Sequence, residues 1–265
     1  MNASSTAAKD ALVLRHEADG VVHLTMNRPD ARNSLSLELM AALQGALDEI
    51  AQSESRVVIL GGAGSAFCAG HDLKEIRTDP RRESYGTLFA QCSLLMQTII
   101  ALPQPVIARV HGPAAAAGCQ LVSTCDLAVA GDSARFATPG VNIGLFCSTP
   151  MVALTRNIAP KHAMEMLLTG EFYDAPTAAR MGLVNHVVED QYLDTAVDAL
   201  AQQIAAKSRT TVKIGKQTFY RQREMDLAVA YDYASQVMTE NMLKDDAEEG
   251  IDAFIEKRDP VWSDS

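Results

Sequence analysis

Three short apolar runs, VVIL at 57–60, PVIARVHG at 105–112 and DLAVAG at 126–131, each follow a stretch with helical character. Strands that are apolar on both faces and are fed by helices belong in a parallel sheet covered by helices, because a parallel crossover needs a dozen or more residues. No other feature narrows the fold as far. The first feeding helix begins after Ser36, where Met40, Leu43, Leu47 and Ile50 recur at spacings of three and four. The second is predicted over 82–101, and the third is the small-residue run AAAAGCQLVSTCD. Ahead of them, ALVLRHEADGVVHLTMNRP alternates apolar and polar residues on both sides of Asp19-Gly20, the signature of a hairpin. The rounds are unequally spaced, which excludes a solenoid.

Beyond Thr149 the pattern is mostly helical, broken by one strand, LVNHVVE, at 183–189. Leu193, Val197, Leu200 and Ile204 mark one helix face, and Ala247, Ile251, Phe254 and Ile255 mark the stripe of the last helix. The expected organisation is a disordered N-terminus at 1–10, an α/β core at 11–200 and a helical C-terminal segment at 201–265. No Pro/Ser/Gly-rich linker divides the last two, so one structural unit is expected.

The 33 acidic residues outnumber the 23 basic ones, a formal net charge of -10. That balance argues against nucleic acid and anionic membranes as partners, and an anionic ligand would need a local basic patch. The five cysteines contain no CxxC pair and the six histidines no HExxH, so neither a disulfide framework nor a metal site is expected. The opening MNASSTAAKD lacks an apolar core and arginine, and no apolar run approaches 18 residues, which together predict a cytoplasmic protein.

The glycines of GGAG at 61–64 lack GxGxxG spacing, no GK[ST] follows, and there is no GxSxG elbow. Two other turns remain, FCAGHDLKE at 67–75 and HGPAAAAGCQ at 111–120, each running from a strand into a helix. Small residues there let another molecule approach the backbone, and free N–H groups at a helix start favour negative charge. Two such turns brought together would form an oxyanion hole. The residues alone leave a second reading open, close packing of helix on sheet.

At these turns the chain resembles the crotonase (enoyl-CoA hydratase/isomerase) superfamily. MNRPDARNSLS, AFCAGHDL, PVIARVHGPAAAAGCQLVSTCDLAVA, ARFATPGVNIGL, LLTGEFYDAPTAARMGLVNHVV and FIEKRDP follow the family's order and spacing over nearly the whole chain. The resemblance implies a spiral of ββα turns, with a C-terminal helical segment that assembles homotrimers or hexamers built as dimers of trimers. It assigns the peptide N–H groups of His71 and Ala117 to the carbonyl of an acyl-CoA thioester. It also lays coenzyme A along Arg28, Ala31, Arg32, Ala69, Asp72, Leu73 and Lys74, with Phe254 and Lys257 from the last helix, of the same or a neighbouring subunit. Coenzyme A enters as the substrate's carrier, and no permanently bound cofactor is implied.

The chain departs from the family where the chemistry is decided. Hydratases of the family carry two glutamates, and the matching positions here hold Gln120 and Gly140. Neither exchanges a proton, and losing one acid–base group costs about 10² to 10⁴ in rate. Cys147 and Ser148 lie where other members carry substitutes, but a thiol without a basic neighbour reads better as a small buried hydrophobe. Asp72 likewise reads as a helix N-terminal carboxylate. Decarboxylation of a malonyl-type thioester needs no general base and stays coherent. The sequence therefore supports a hydratase/isomerase-like lyase working through an enolate, with a decarboxylase or a non-catalytic acyl-CoA binder as the alternatives.

Overall fold

The computed structural model describes residues 11–264, so the disorder expected at 1–10 lies outside the described residues. Strand β1 (Val13–Ala18) turns at Asp19-Gly20 into β2 (Val21–Met26), the antiparallel hairpin that the alternation predicts. Strands β3 (Val57–Gly62), β4 (Val106–Val110), β6 (Leu127–Gly131) and β9 (His186–Val188) then add in parallel, giving one sheet in the order β1-β2-β3-β4-β6-β9. A smaller sheet joins β5 (Ala114–Ala115), β7 (Arg135–Ala137) and β8 (Tyr173–Asp174).

Alternation along β3 divides the interior. Val58 and Leu60 face the main core, with Leu39, Leu43 and Leu47 of α1 (Leu37–Ala51) and Leu95 and Ile99 of α3 (Arg82–Ala101). Val57 and Ile59 face the other side, where α8 (Leu193–Ala205) lays down Leu193, Val197, Ala201 and Ala205. Both faces are dry, which is why the strand carries no polar alternation. Helix α1 starts where Ser36 accepts a hydrogen bond from the Leu39 N–H at 3.2 Å, an N-cap worth about 1 kcal/mol.

The remaining helices are α2 (Leu73–Thr78), α4 (Ala117–Thr124), α5 (Ser148–Leu154), α6 (Pro160–Thr169), α7 (Ala175–Met181), α9 (Arg209–Gln222), α10 (Leu227–Met242) and α11 (Asp245–Glu256). Helix α9 is fastened to the core by Lys216. Its ammonium donates to the Ile99 and Gln104 carbonyls, each at 2.9 Å, and to Asp126 Oδ2 at 2.7 Å. Asp126 also accepts from the Tyr220 hydroxyl at 2.9 Å and the Val106 N–H at 2.7 Å, so the buried pair leaves no charge unmet.

The apolar stripe expected on the last helix does not face the core. Ile251, Phe254 and Ile255 are exposed, Phe254 by 85%. Helix α10 buries no residue, and Leu227, Val229, Tyr231, Met238 and Met242 all face outward. Periodicity marks an apolar face without saying what lies against it.

Candidate functional site

The site forms where the two small-residue turns meet. The segment before α2 is extended: Leu35 N–H donates to the Gly70 carbonyl at 2.7 Å and Asp72 N–H to the Leu35 carbonyl at 3.0 Å. On its other edge, Cys68 N–H donates to the Pro113 carbonyl at 3.2 Å and Ala115 N–H to the Cys68 carbonyl at 2.9 Å. In this bridge the His71 N–H points away from Leu35, toward the start of α4.

Glycine makes the approach possible. At Gly70, with φ at +96°, a Cβ would stand 2.9 Å from Ala116 Cβ, 3.0 Å from the Ala115 carbonyl oxygen and 3.5 Å from the Ala117 nitrogen. Ala116 itself has a φ of +50°, a region that non-glycine residues seldom adopt and that is often found at functional sites. The strained residue directs the next peptide N–H, that of Ala117, into the junction. Neither the His71 N–H nor the Ala117 N–H donates to any acceptor among the described residues, although Ala117 is buried. Buried N–H groups are almost always paired, so two free donors at one junction form a preorganised receptor for a developing oxyanion.

Around these donors the titratable side chains are few. Gln120 is buried, and its Oε1 lies 4.0 Å from Cys92 Sγ. Gly140 is closed off: a Cβ there would stand 2.6 Å from the Leu145 carbonyl oxygen and 2.9 Å from Cys147 Sγ. Cys147 is buried and burial pushes its thiol up. The same cause pushes Cys92 to about 11 and Cys68 and Cys119 to about 12, so these thiols stay protonated at neutral pH. Ser148 is exposed and donates to the Phe146 carbonyl at 3.3 Å. The His71 imidazole is the exception: both ring nitrogens are buried without a hydrogen-bond partner, and the ring sits edge-on to Phe89 at 5.5 Å. Burial, only partly opposed by the Leu35 backbone, holds it below the usual histidine range, hence neutral.

Of the positions expected along coenzyme A, Arg28 and Asp72 engage each other. Arg28 donates to Asp72 Oδ2 at 3.0 Å and to the Ser34 carbonyl at 2.7 Å. Asp72 also caps α2, accepting from the Lys74 and Glu75 N–H groups. Partial burial works to raise its carboxyl, but the Arg28 and backbone hydrogen bonds outweigh that and hold it below the usual range. Arg32, Ala69, Leu73 and Lys74 are exposed and Ala31 is half-buried beside them, leaving Arg32 and Lys74 as the cations of this rim. Phe254 and Lys257 are not gathered with it, because α11 packs mainly against α9 and α10. The described residues contain no cluster suited to a metal ion, and no helix among them is long and apolar enough to cross a membrane.

One residue that the sequence reading passes over also shapes the site. Asn33, fully buried with φ at +53°, donates to the Ala63 and Ala66 carbonyls at 2.8 Å each and accepts from the Arg28 N–H at 2.9 Å. It ties the Pro29 loop to the loop that leads into Cys68. An asparagine after a Pro-Asp turn, tolerant of positive φ, is the signal that marks it.

Comparison with known proteins follows the same lines. A family model for enoyl-CoA hydratase/isomerase matches residues 16–265. The mitochondrial enoyl-CoA hydratase domain-containing protein 3 of Rattus norvegicus is 46% identical over 253 residues, covering 95% of this chain and 84% of the relative. A crystal structure of an enoyl-CoA hydratase from Mycobacterium smegmatis superposes with a TM-score of 0.94 at 53% identity, covering 96% of this chain and 99% of that one. The human enoyl-CoA hydratase domain-containing protein 3 gives 0.93 at 45% identity, covering 95% and 100%. These likenesses establish the crotonase-type α/β fold. They also correct the expectation of a cytoplasmic protein, since the vertebrate relatives are named as mitochondrial.

Proposed function

Because the chain belongs to the enoyl-CoA hydratase/isomerase family, we propose that it binds acyl-CoA thioesters and stabilises their enolates, in the manner of a hydratase/isomerase-like lyase. The observation that carries this reading is the pair of unpartnered N–H groups of His71 and Ala117 at the junction of two turns. A thioester oxygen accepting from both would gain charge in the enolate and be held more tightly there than in the ground state, which is what accelerates the step. Removing one such donor costs about 2.7–4 kcal/mol of barrier.

The adenosine and pantetheine parts would run along Ala31, Arg32, Ala69, Leu73 and Lys74, with the Arg28–Asp72 pair holding the rim. Phe254 and Lys257 would come from a second copy: the outward apolar faces of α10 and α11 support assembly as a homotrimer or a dimer of trimers. Gln120 would hydrogen-bond a water or the acyl group without moving a proton.

A malonyl-type thioester decarboxylase is the second reading. It is favoured by Gln120 and by the closure of Gly140 against the Leu145 carbonyl, because loss of carbon dioxide yields the enolate without a base. Turnover of crotonyl-CoA, 3-enoyl-CoA, dienoyl-CoA and malonyl-type CoA esters tests both readings. Conversion of an unsaturated ester supports the first and release of carbon dioxide the second. Silence on all of them with intact thioester binding overturns both and leaves a non-catalytic acyl-CoA binder.

A further inference from the structure

Hydration needs two proton-exchanging groups, and the positions where the family keeps them hold an amide and a closed glycine. The surrounding carboxylates are committed elsewhere, Asp72 to Arg28 and the α2 cap, and Glu75 to the Leu37 N–H at 3.1 Å. The thiols of Cys68, Cys92, Cys119 and Cys147 are held protonated, and Ser148 lies exposed on its own turn.

One group is left. The His71 ring has both nitrogens buried and neither in a formed hydrogen bond, although the Leu35 backbone lies close enough to act on it, and the ring meets Phe89 of α3 edge-on. Phe89 stands one turn before Cys92, whose thiol meets the Gln120 amide at 4.0 Å, so the ring belongs to the wall that also carries Gln120. A neutral imidazole offers one donor and one acceptor, and a buried one with both unmet marks a place for a ligand or a catalytic role. The same residue supplies a free peptide N–H to the junction. Whatever oxygen that N–H binds is therefore held by the same residue that carries the ring.

We propose that the His71 imidazole is the proton-transfer group of this site, working on the carbon beside the thioester carbonyl whose oxygen the His71 N–H holds. This rests on the enolate reading above. The α-carbon C–H bond breaks and its proton forms an N–H bond on the acceptor nitrogen. The electron pair becomes the enolate double bond, and the carbonyl π pair moves onto the oxygen between His71 and Ala117. The imidazolium then returns the proton to the α-carbon, or, in a 3-enoyl thioester, to the γ-carbon, which shifts the double bond into conjugation. One base completes that cycle with no water, oxidant or second acid. The substrate class that fits a site with a single proton carrier is thus the β,γ-unsaturated acyl thioester. Burial keeps the ring neutral and so able to accept.

The test compares the full chain with His71→Gln and His71→Ala, using two probes. Cinnamoyl-CoA reports carbonyl polarisation through a red shift of its absorption on binding. Butyryl-CoA in deuterium oxide reports α-proton exchange by mass spectrometry. The expected result is that all three proteins give the red shift, since the peptide N–H survives both substitutions, while exchange falls by about 10²-fold or more in both variants. Exchange in His71→Gln at the wild-type rate overturns the proposal, as does a wild-type protein that polarises the carbonyl but exchanges nothing. Loss of the red shift in both variants gives the ring a structural role and overturns it too. Absence of the red shift in the wild-type protein overturns the enolate reading itself, and this proposal with it.

Discussion

Gly118→Ala is the substitution that separates an oxyanion receptor from mere close packing. Gly118 is the second residue of α4, and a Cβ there would stand 2.8 Å from the Cys68 carbonyl carbon, 2.9 Å from Cys68 Cβ and closer still to the Cys68 oxygen. Ordinary contact begins near 3.4 Å, so the carbonyl carbon alone requires α4 to back away by about 0.6 Å and the carbonyl oxygen requires more. All three atoms belong to the fully buried Cys68, two of them to its backbone, and cannot swing aside. The Ala117 N–H moves with its helix and the His71 N–H does not, so the distance between the donors grows. A misplacement approaching 1 Å costs about 10²-fold in a preorganised site, and overpacking of this kind costs about 1–3 kcal/mol of stability. The assay is cinnamoyl-CoA titration beside a urea melt. The expected outcome is a folded protein with a lowered urea midpoint, retained thioester binding and a diminished red shift. A full red shift in a folded Gly118→Ala protein would refute the reasoning, because a receptor that tolerates that displacement is not preorganised.

Lys216→Met leaves the half-buried Asp126 without its cation and is expected to destabilise the chain by about 3 kcal/mol in urea, the lower end for a broken buried pair; a loss below about 1 kcal/mol would mean that α9 is held by other contacts. Gly140→Ala puts a methyl group against the Leu145 carbonyl and Cys147 Sγ and should cost about 1–3 kcal/mol by thermal melt, so Gly140→Glu would displace the Leu145 loop rather than install a working carboxylate. Glu249 accepts two hydrogen bonds from Arg258 and one from the Val261 N–H, which hold its carboxyl at about 2 against an ordinary 4.5. A carboxyl depressed on folding stabilises fully above its unfolded value and loses that contribution as pH falls through the folded one. The Tm of Arg258→Gln should therefore lie below wild type at neutral pH in low salt, with the gap closing between pH 4.5 and about 2; a gap that persists at pH 2 would refute the assignment.

The sheet was legible because its central strands β3, β4 and β6 are apolar on both faces and its helices keep period, as α3 shows by running over the predicted span of 82–101. The two turns were legible as places where small residues crowd a helix start. What the sequence could not display is contact between distant segments. That Gly140 is shut by a carbonyl five residues on, or that Asn33 bridges to Ala63 and Ala66, depends on how loops return. The stripe of α11 was visible as a stripe but not as an outward one. The His71 ring escaped notice for a simpler reason: its backbone role made the side chain look incidental.

The account stands on where a thioester carbonyl oxygen comes to rest, and a crystal structure of the protein with a non-hydrolysable acyl-CoA analogue measures that directly. The oxygen should lie about 2.7–3.1 Å from both the His71 and the Ala117 nitrogens, with the α-carbon beside the His71 ring. An acyl group bound with its carbonyl away from these two N–H groups would contradict the account.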